Sequence, residues 1–135
     1  MAALLFSTTF TARMHDIDAA GVMFFGRFFY YIHDAYEEFL NQHSLSIQQL
    51  LDTAVLLPIS HTEADFKAPI VLNEEIIVEL YLQEIKEQEF VLHYQLLDLS
   101  GKIKATALSR HICLDGNSRQ RTTLPAEIHS VLVKK

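Results

Sequence analysis

Apolar and polar positions alternate near the start of the chain. The side chains of one parity between residues 4 and 14 belong to Phe6, Thr8, Phe10, Ala12 and Met14. A period of two is typical of a β-strand that buries one of its faces. The sequence therefore predicts a half-buried first strand over residues 4–14.

A longer period follows the first strand. From residue 25 onward, apolar side chains recur every three or four residues, at Phe25, Phe28, Phe29, Ile32, Ala35, Tyr36, Phe39 and Leu40. This spacing predicts an amphipathic helix over residues 25–41. Its apolar stripe is wide and rich in rings, so we expect a sheet to curl around it. Residues 44–52 predict a short second helix capped by Ser44 or Ser46.

Four later stretches are rich in β-branched and aromatic residues, as strands are. They span residues 55–66, 75–85, 89–99 and 102–114. Residues 86–88 and the pair Ser100-Gly101 are short enough for hairpins, so the last three strands should form an antiparallel meander. Residues 115–118 should end the sheet, and Pro125 should begin a last helical turn. The pattern predicts one α+β domain over residues 1–135, with a helix on a sheet.

Charge and cysteine content exclude several classes of function. Lys and Arg total 11 against 17 Asp and Glu, a net charge of −6 without a dense basic block, which is unlike a nucleic-acid-binding protein. A phosphate-bearing ligand would need a local cationic cluster. Cys113 is the only cysteine, which excludes an intramolecular disulfide, and its apolar strand favours a packing role. The first residues resemble neither a signal peptide nor a membrane span, so we expect a cytoplasmic location without a membrane partner.

The turn between the first strand and the long helix carries two carboxylates, Asp16 and Asp18. Asp at such a place is ordinarily a turn former or a helix cap. A second interpretation is chemical, because the free amides at a helix N-terminus can stabilise the oxyanion that forms in acyl transfer. A carboxylate just upstream can attack a thioester carbonyl or hold a water as general base. Spacing alone leaves both interpretations open.

The motif Asp16-x-Asp18-x-x-Gly21, followed by the aromatic pair Phe24-Phe25, resembles the signature of the 4-hydroxybenzoyl-CoA thioesterase family of hotdog proteins. Within this family the chain resembles the 1,4-dihydroxy-2-naphthoyl-CoA hydrolases of phylloquinone and menaquinone synthesis. Supporting matches lie at residues 20–25, 33–37, 57–58, 61, 65–66, 68–69 and 111–113. The resemblance covers nearly the whole chain.

The resemblance implies a hotdog fold, a five-stranded antiparallel sheet wrapped around a long central helix. It also implies hydrolysis of an aromatic acyl-CoA to the free acid and coenzyme A, without a metal or redox cofactor. The family's catalytic carboxylate falls on Asp18, and the backbone amide that polarises the thioester carbonyl falls on Phe25, with Gly26 beside it. Asp16 is then the residue expected to form the turn and to cap the backbone amides. One common relative pattern has Tyr-His in place of Phe24-Phe25, so Asp18 would act here with backbone amides alone.

Three further side chains are candidates for substrate binding. Arg27 follows the turn and can attract the substrate's charge, and Tyr31 offers a ring and a hydroxyl to an aromatic acyl group. His61 can bind the oxygens of a hydroxylated naphthoyl ring. Each has a plainer alternative: an exposed helical Arg is usually only solvated, the rings of this helix belong mostly to the core, and His61 can be a partly exposed strand residue.

Other residues are also candidates for a catalytic, metal or phosphate site. His33 and Glu37 are spaced for an acid/base pair, for two metal ligands or for a plain structural hydrogen bond on one helix face, and Glu37 and Glu38 are alternatives to Asp18 as catalytic acid. Cations for the coenzyme A phosphates can come from Lys86, Lys102, Lys104, Arg110, Arg119 and Arg121. The resemblance implies a homotetramer, a dimer of dimers with the acyl pocket between subunits. Hydrolysis of 4-hydroxybenzoyl-CoA or a short-to-medium acyl-CoA, and a non-catalytic acyl-CoA-binding module, are alternative functions.

Overall fold

The computed structural model describes residues 3–133, which form three helices, a single 3₁₀ turn at Met14–Asp16 and seven strands. In chain order the elements are β1 (Leu4–Thr11), α1 (Phe25–Gln42), α2 (Ile47–Asp52), β2 (Val55–Leu56), β3 (Ile59–Phe66), β4 (Glu75–Ile85), β5 (Glu89–Asp98), β6 (Ile103–Ile112), β7 (Leu114–Asp115) and α3 (Ala126–Leu132). Within this part of the chain, no helix is long and apolar enough to cross a membrane.

Five strands form one sheet in the order β1-β4-β5-β6-β3, and every neighbouring pair is antiparallel. The predicted meander of β4, β5 and β6 is confirmed. In the β5–β6 hairpin, Gly101 takes φ +90°, a conformation that glycine adopts without a steric penalty. The sheet leaves β1 and β3 as its edges among the described strands.

The long helix α1 lies against the inner face of the sheet, as the wide apolar stripe predicts. Its buried side chains are Phe28, Ile32, Ala35, Tyr36, Phe39 and Leu40. The inner face of β6 presents the smaller side chains of Ala105, Ala107 and Ser109, all of them buried. These positions leave room for the aromatic rings of α1, because a core is filled by matching large side chains with small ones.

Two predicted strands are broken in the structure. The stretch predicted over residues 55–66 divides at Pro58, which has no N–H to donate to a ladder. The stretch over residues 102–114 divides at Cys113, whose amide donates to Gln88 O at 2.9 Å. The detached ends, β2 and β7, pair with each other as a separate two-stranded sheet. The prediction of two continuous strands was therefore wrong at these two residues.

The helix ends and the first strand also differ in detail. The first strand ends at Thr11 rather than at Met14, because the carboxylate of Asp16 accepts the Arg13 amide at 2.8 Å and begins a turn. Ser46, one of the two predicted caps, begins α2 by accepting the Gln49 amide at 3.2 Å. The last helical turn extends to the seven residues of α3.

Cys113 is fully buried, and its thiol donates only a long hydrogen bond, of 3.9 Å, to Thr123 O. Burial raises the pKa of the thiol, which keeps it protonated. Both observations agree with a packing role.

A chain of buried polar groups crosses the core behind α1. The Tyr94 hydroxyl lies 2.8 Å from Ser109 Oγ, which lies 2.8 Å from His111 Nε2. The His111 ring is fully buried and stacks on Phe90 at 4.9 Å between centroids. Burial disfavours the imidazolium and lowers the pKa of His111 to about 4, so the folded protein holds this imidazole neutral.

We expect His111 to make the folded state less stable in mild acid. The unfolded chain takes up a proton near the ordinary pKa of 6.5, and the folded chain does so only near 4. The free energy of unfolding should therefore fall between these two values, by roughly 3 kcal/mol in total. Urea denaturation of the wild type and of His111→Gln, at about pH 7 and about pH 5, tests this. An equal pH dependence in the two proteins would contradict it.

Candidate active site

The two-carboxylate motif folds into a short hairpin that returns to the start of α1. The Asp18 amide donates to Val22 O at 2.9 Å, and the Phe24 amide donates to Asp16 O at 2.8 Å. The Gly21 amide closes the loop on Asp18 O at 3.0 Å. Gly21 takes φ +82°, where an L side chain is strained. The glycine of the motif thus allows the chain to turn back after Asp18 and to reach the start of the helix.

Asp18 is exposed at the tip of this hairpin. Its Oδ1 accepts the Ala20 amide at 2.8 Å, which orients the carboxylate. Within residues 3–133, Oδ2 has no hydrogen-bond donor. One oxygen is therefore held by the turn, and the other is available to a ligand or a water.

The start of α1 carries free backbone amides. The cap residue Phe24 makes no side-chain hydrogen bond to the helix, and the first turn contains no acidic residue. The amides of Phe25 and Gly26 precede the first amide that donates within the helix, that of Arg27, which donates to Phe24 O at 3.0 Å. A Cβ on Gly26 would lie 2.6 Å from Cε2 of Phe24, so glycine allows the Phe24 ring to fold against the helix start. Both amides can donate to an oxyanion.

A cleft of about 260 Å³ opens beside this helix start. Its walls are mainly apolar, and Phe25 and Phe66 contribute exposed rings. Ala105 belongs to both the cleft wall and the buried core. The residues that line the cleft are Val22, Met23, Phe25, Phe66, Lys67, Ala68, Pro69, Ile70, Lys104 and Ala105. The cleft is smaller than the roughly 300–1,000 Å³ of typical ligand pockets, so it fits part of a large ligand.

Asp16 has a different environment from Asp18. It is fully buried, and its carboxylate accepts three hydrogen bonds: from the Arg13 amide at 2.8 Å, Arg27 Nε at 2.9 Å and the Tyr31 hydroxyl at 2.5 Å. Burial by itself raises the pKa of this carboxyl, but the three donors together lower it by more, so the pKa lies below its ordinary value. Asp16 is therefore ionised and enclosed, which leaves Asp18 as the accessible carboxylate of the motif.

Arg27 and Tyr31, both predicted to bind substrate, direct polar atoms to Asp16. The Arg27 guanidinium also lies 4.4 Å from the centroid of the Tyr30 ring. The Tyr31 ring stacks on Phe10 at 3.8 Å. Burial, together with the bond to Asp16, raises the pKa of Tyr31 to about 12, so its hydroxyl stays protonated.

His61 lies on the edge strand β3, away from the cleft. Phe66 of the same strand packs edge-on against buried Phe28 of α1 at 5.1 Å. Because side chains alternate along a strand, His61 points to the opposite face of the sheet. There it forms an ion pair or hydrogen bond with Glu63 at 3.0 Å. Its predicted contact with substrate would therefore require a second subunit.

The rival residues on α1 lie far from the helix start. Glu37 and Glu38 are exposed and face a groove beside β1. With a rise of about 1.5 Å per residue, Glu37 is roughly 18 Å along the axis from Phe25. Neither His33 nor Glu37 joins a group of three metal-binding side chains within the described residues. The structure thus separates these residues from the free amides.

Three of the cations proposed for the coenzyme A phosphates, Lys86, Arg110 and Arg121, lie together, but they surround the carboxylates of Glu84 and Glu89. Four of the six are already paired with carboxylates: Lys86 with Glu84, Lys104 with Glu74, and both Arg110 and Arg121 with Glu89. We assign a phosphate-binding role to none of them. Sequence reasoning missed Lys67, which lines the cleft beside Phe25. No periodic signal marks it, because it follows the last residue of an edge strand.

The fold and this site define a hotdog protein with a carboxylate beside an uncapped helix. The chain belongs to the thioesterase-like superfamily, whose sequence profile matches residues 12–132. This confirms both the resemblance and the hotdog fold implied by the motif.

Three relatives are similar to this chain over most of its length. The 1,4-dihydroxy-2-naphthoyl-CoA hydrolase of Gloeothece citriformis is 37% identical over 118 residues, covering 85% of this chain and 82% of the relative. The enzyme of the same name from Nostoc punctiforme is 34% identical, covering 87% and 80%. The crystal structure of a 1,4-dihydroxy-2-naphthoyl-CoA thioesterase from Synechocystis superposes with a TM-score of 0.89 at 27% identity, covering 96% of each chain.

Proposed function

We propose that this protein is an acyl-CoA thioesterase that hydrolyses 1,4-dihydroxy-2-naphthoyl-CoA to the free acid and coenzyme A. The observation that carries the proposal is the exposed Asp18 carboxylate on a hairpin fixed to the N-terminus of α1. The names of the relatives in Gloeothece, Nostoc and Synechocystis support the same acyl group.

The proposed mechanism uses backbone amides and one carboxylate. The amides of Phe25 and Gly26 donate to the thioester carbonyl oxygen and stabilise the negative charge that develops on it. Asp18 Oδ2 then either attacks the carbonyl carbon, giving a mixed anhydride that water hydrolyses, or removes a proton from an attacking water. In both routes coenzyme A leaves as the thiolate. Asp18 Oδ2 and the two backbone amides serve the nucleophilic route and the general-base route alike.

The cleft beside Phe25 is the proposed acyl site. Its apolar walls and exposed rings suit a flat aromatic group. Its volume of about 260 Å³ suits the acyl group and leaves the coenzyme outside.

A homotetramer is part of the proposal. The edge strand β3 exposes seven of its eight residues, among them the apolar Ile59 and Phe66. An unpaired edge with apolar side chains is typical of a strand that pairs with another chain. An acyl pocket between subunits, which the resemblance implies, belongs to the same proposal.

Hydrolysis of a panel of acyl-CoA esters tests the proposed function. We expect kcat/KM for 1,4-dihydroxy-2-naphthoyl-CoA to exceed that for 4-hydroxybenzoyl-CoA and for straight-chain esters by at least about 10-fold, because a larger flat ring would bury more apolar surface against the walls of the cleft. Thiol release can be followed in solution. Preference for a straight chain would contradict the naphthoyl assignment, and binding of acyl-CoA without turnover would favour a non-catalytic module.

A further inference from the structure

We propose that Asp16 is a positioning residue for the reaction, which holds the hairpin bearing Asp18 in register with the first turns of α1. This inference rests on the proposed function, because it concerns how the reacting carboxylate is placed. Asp16 does not touch substrate, since its side chain is fully buried.

The side chain of Asp16 joins two parts of the site. One donor, the Arg13 amide, comes from the segment that enters the hairpin, and the other two, Arg27 Nε and the Tyr31 hydroxyl, come from α1. Arg27 and Tyr31 are four residues apart, so they lie on one face of the helix. The carboxylate therefore ties the entrance of the hairpin to the same helix that presents the free amides.

The backbone of Asp16 adds a second connection. Its carbonyl accepts the Phe24 amide at 2.8 Å, immediately before the helix begins. Asp18 follows two residues later and is paired with Val22 on the returning arm. A rotation of Asp16 would thus shift the Asp18 carboxylate and the Phe25 amide relative to each other.

A purely structural role is the alternative, and the chain offers a matched example of it. Asp98, at the β5–β6 hairpin, also accepts three hydrogen bonds: from the Ser100 amide at 2.9 Å, from Ser100 Oγ at 2.6 Å and from the Lys102 amide at 3.0 Å. Hydrogen bonds from Ser100 and Lys102 lower the pKa of Asp98, as donors also do for Asp16. Asp98 stabilises a turn outside the hairpin of the motif, so it separates loss of a turn from loss of positioning.

Two variants test the inference. Asp16→Asn keeps the shape of the side chain but turns one acceptor into a donor that faces another donor. We expect kcat to fall by about 100-fold, with KM within about threefold of wild type, because a small displacement of a reacting group is costly to rate. Tyr31→Phe removes a single hydroxyl and keeps the ring on Phe10. It should lower kcat by about threefold to tenfold at unchanged KM, since two donors remain.

The outcomes are separable. Asp98→Asn should lower the melting temperature and leave kcat unchanged per folded molecule, as judged by circular dichroism and size-exclusion chromatography. Wild-type kcat in folded Asp16→Asn or, if that variant does not fold, in Tyr31→Phe would overturn the inference. A rise in KM without a fall in kcat in Tyr31→Phe would also overturn the inference, because that result indicates that Tyr31 contacts the substrate. Absence of activity in the wild type would instead refute the proposed function.

Discussion

Replacing Asp18 with asparagine is expected to lower kcat for thioester hydrolysis by about 1,000-fold, the scale of a lost general base or nucleophile. The amide can still accept the Ala20 N–H through Oδ1, so the turn should keep its shape. It presents no carboxylate oxygen at the position of Oδ2 and can neither attack the thioester nor take up a proton from water. Steady-state assay of the purified variant measures the effect.

The control for Asp18→Asn is a variant with the same chemical change elsewhere. Asp52 is an exposed carboxylate at the end of α2, and its Oδ1 accepts Gln48 Nε2 at 2.9 Å. Asp52→Asn should retain wild-type kcat. Turnover by folded Asp18→Asn within about threefold of wild type would refute the proposed role of Asp18.

Replacing Phe28 with alanine should destabilise the protein by about 3–5 kcal/mol, a large part of the roughly 5–15 kcal/mol that holds a domain folded. Phe28 is fully buried in the first turns of α1 and contacts Phe29 and Phe66 edge-on. Truncation leaves a cavity between the helix start and β3, which the small side chains of β6 cannot fill. Urea denaturation at neutral pH gives the difference in free energy.

The matched control is an aromatic residue on the opposite side of the same helix. Tyr30 is 62% exposed, and its main contact is the Arg27 guanidinium. Tyr30→Ala should cost less than about 1 kcal/mol. Equal losses in the two variants would show that α1 is not packed as described.

The elements that sequence alone predicted well are those with strong local signals. The three- and four-residue spacing of rings marked α1, because the helix buries one continuous stripe. The short dividers marked the meander, because a hairpin of two or three residues leaves two strands little choice except to pair.

The elements that sequence missed depend on contacts between distant residues. A strand break at Cys113 has no local marker, since it follows from an amide that bonds to Gln88 O. Pro58 did carry a local signal against a continuous strand, and the β-branched residues around it outweighed that signal in the prediction.

The two carboxylates of the candidate site could be found from the sequence, but the contacts that surround Asp16 could not. Position before the helix start at Phe25, reinforced by the family resemblance, predicted Asp16 as the residue of the turn and cap and Asp18 as the reactive carboxylate, whereas spacing alone left the pair ambiguous. The hydrogen bonds of Asp16 to Arg27 and Tyr31 join residues that are 11 and 15 positions apart in the chain. Neither these bonds nor the complete burial of Asp16 has a local signal in the sequence. Arg27 and Tyr31 looked like substrate contacts from sequence because an Arg and a Tyr near a catalytic turn have the same appearance whether they face a ligand or a buried carboxylate.

The double position of Ala105 couples the size of the proposed acyl site to the packing of the protein interior. Its methyl group is part of the packing beneath α1 and also part of the cleft wall. Any larger side chain there would displace either the helix that carries the Phe25 amide or a ligand in the cleft. A substitution of Ala105 that changes the size of the proposed acyl site would therefore also change the stability of the protein.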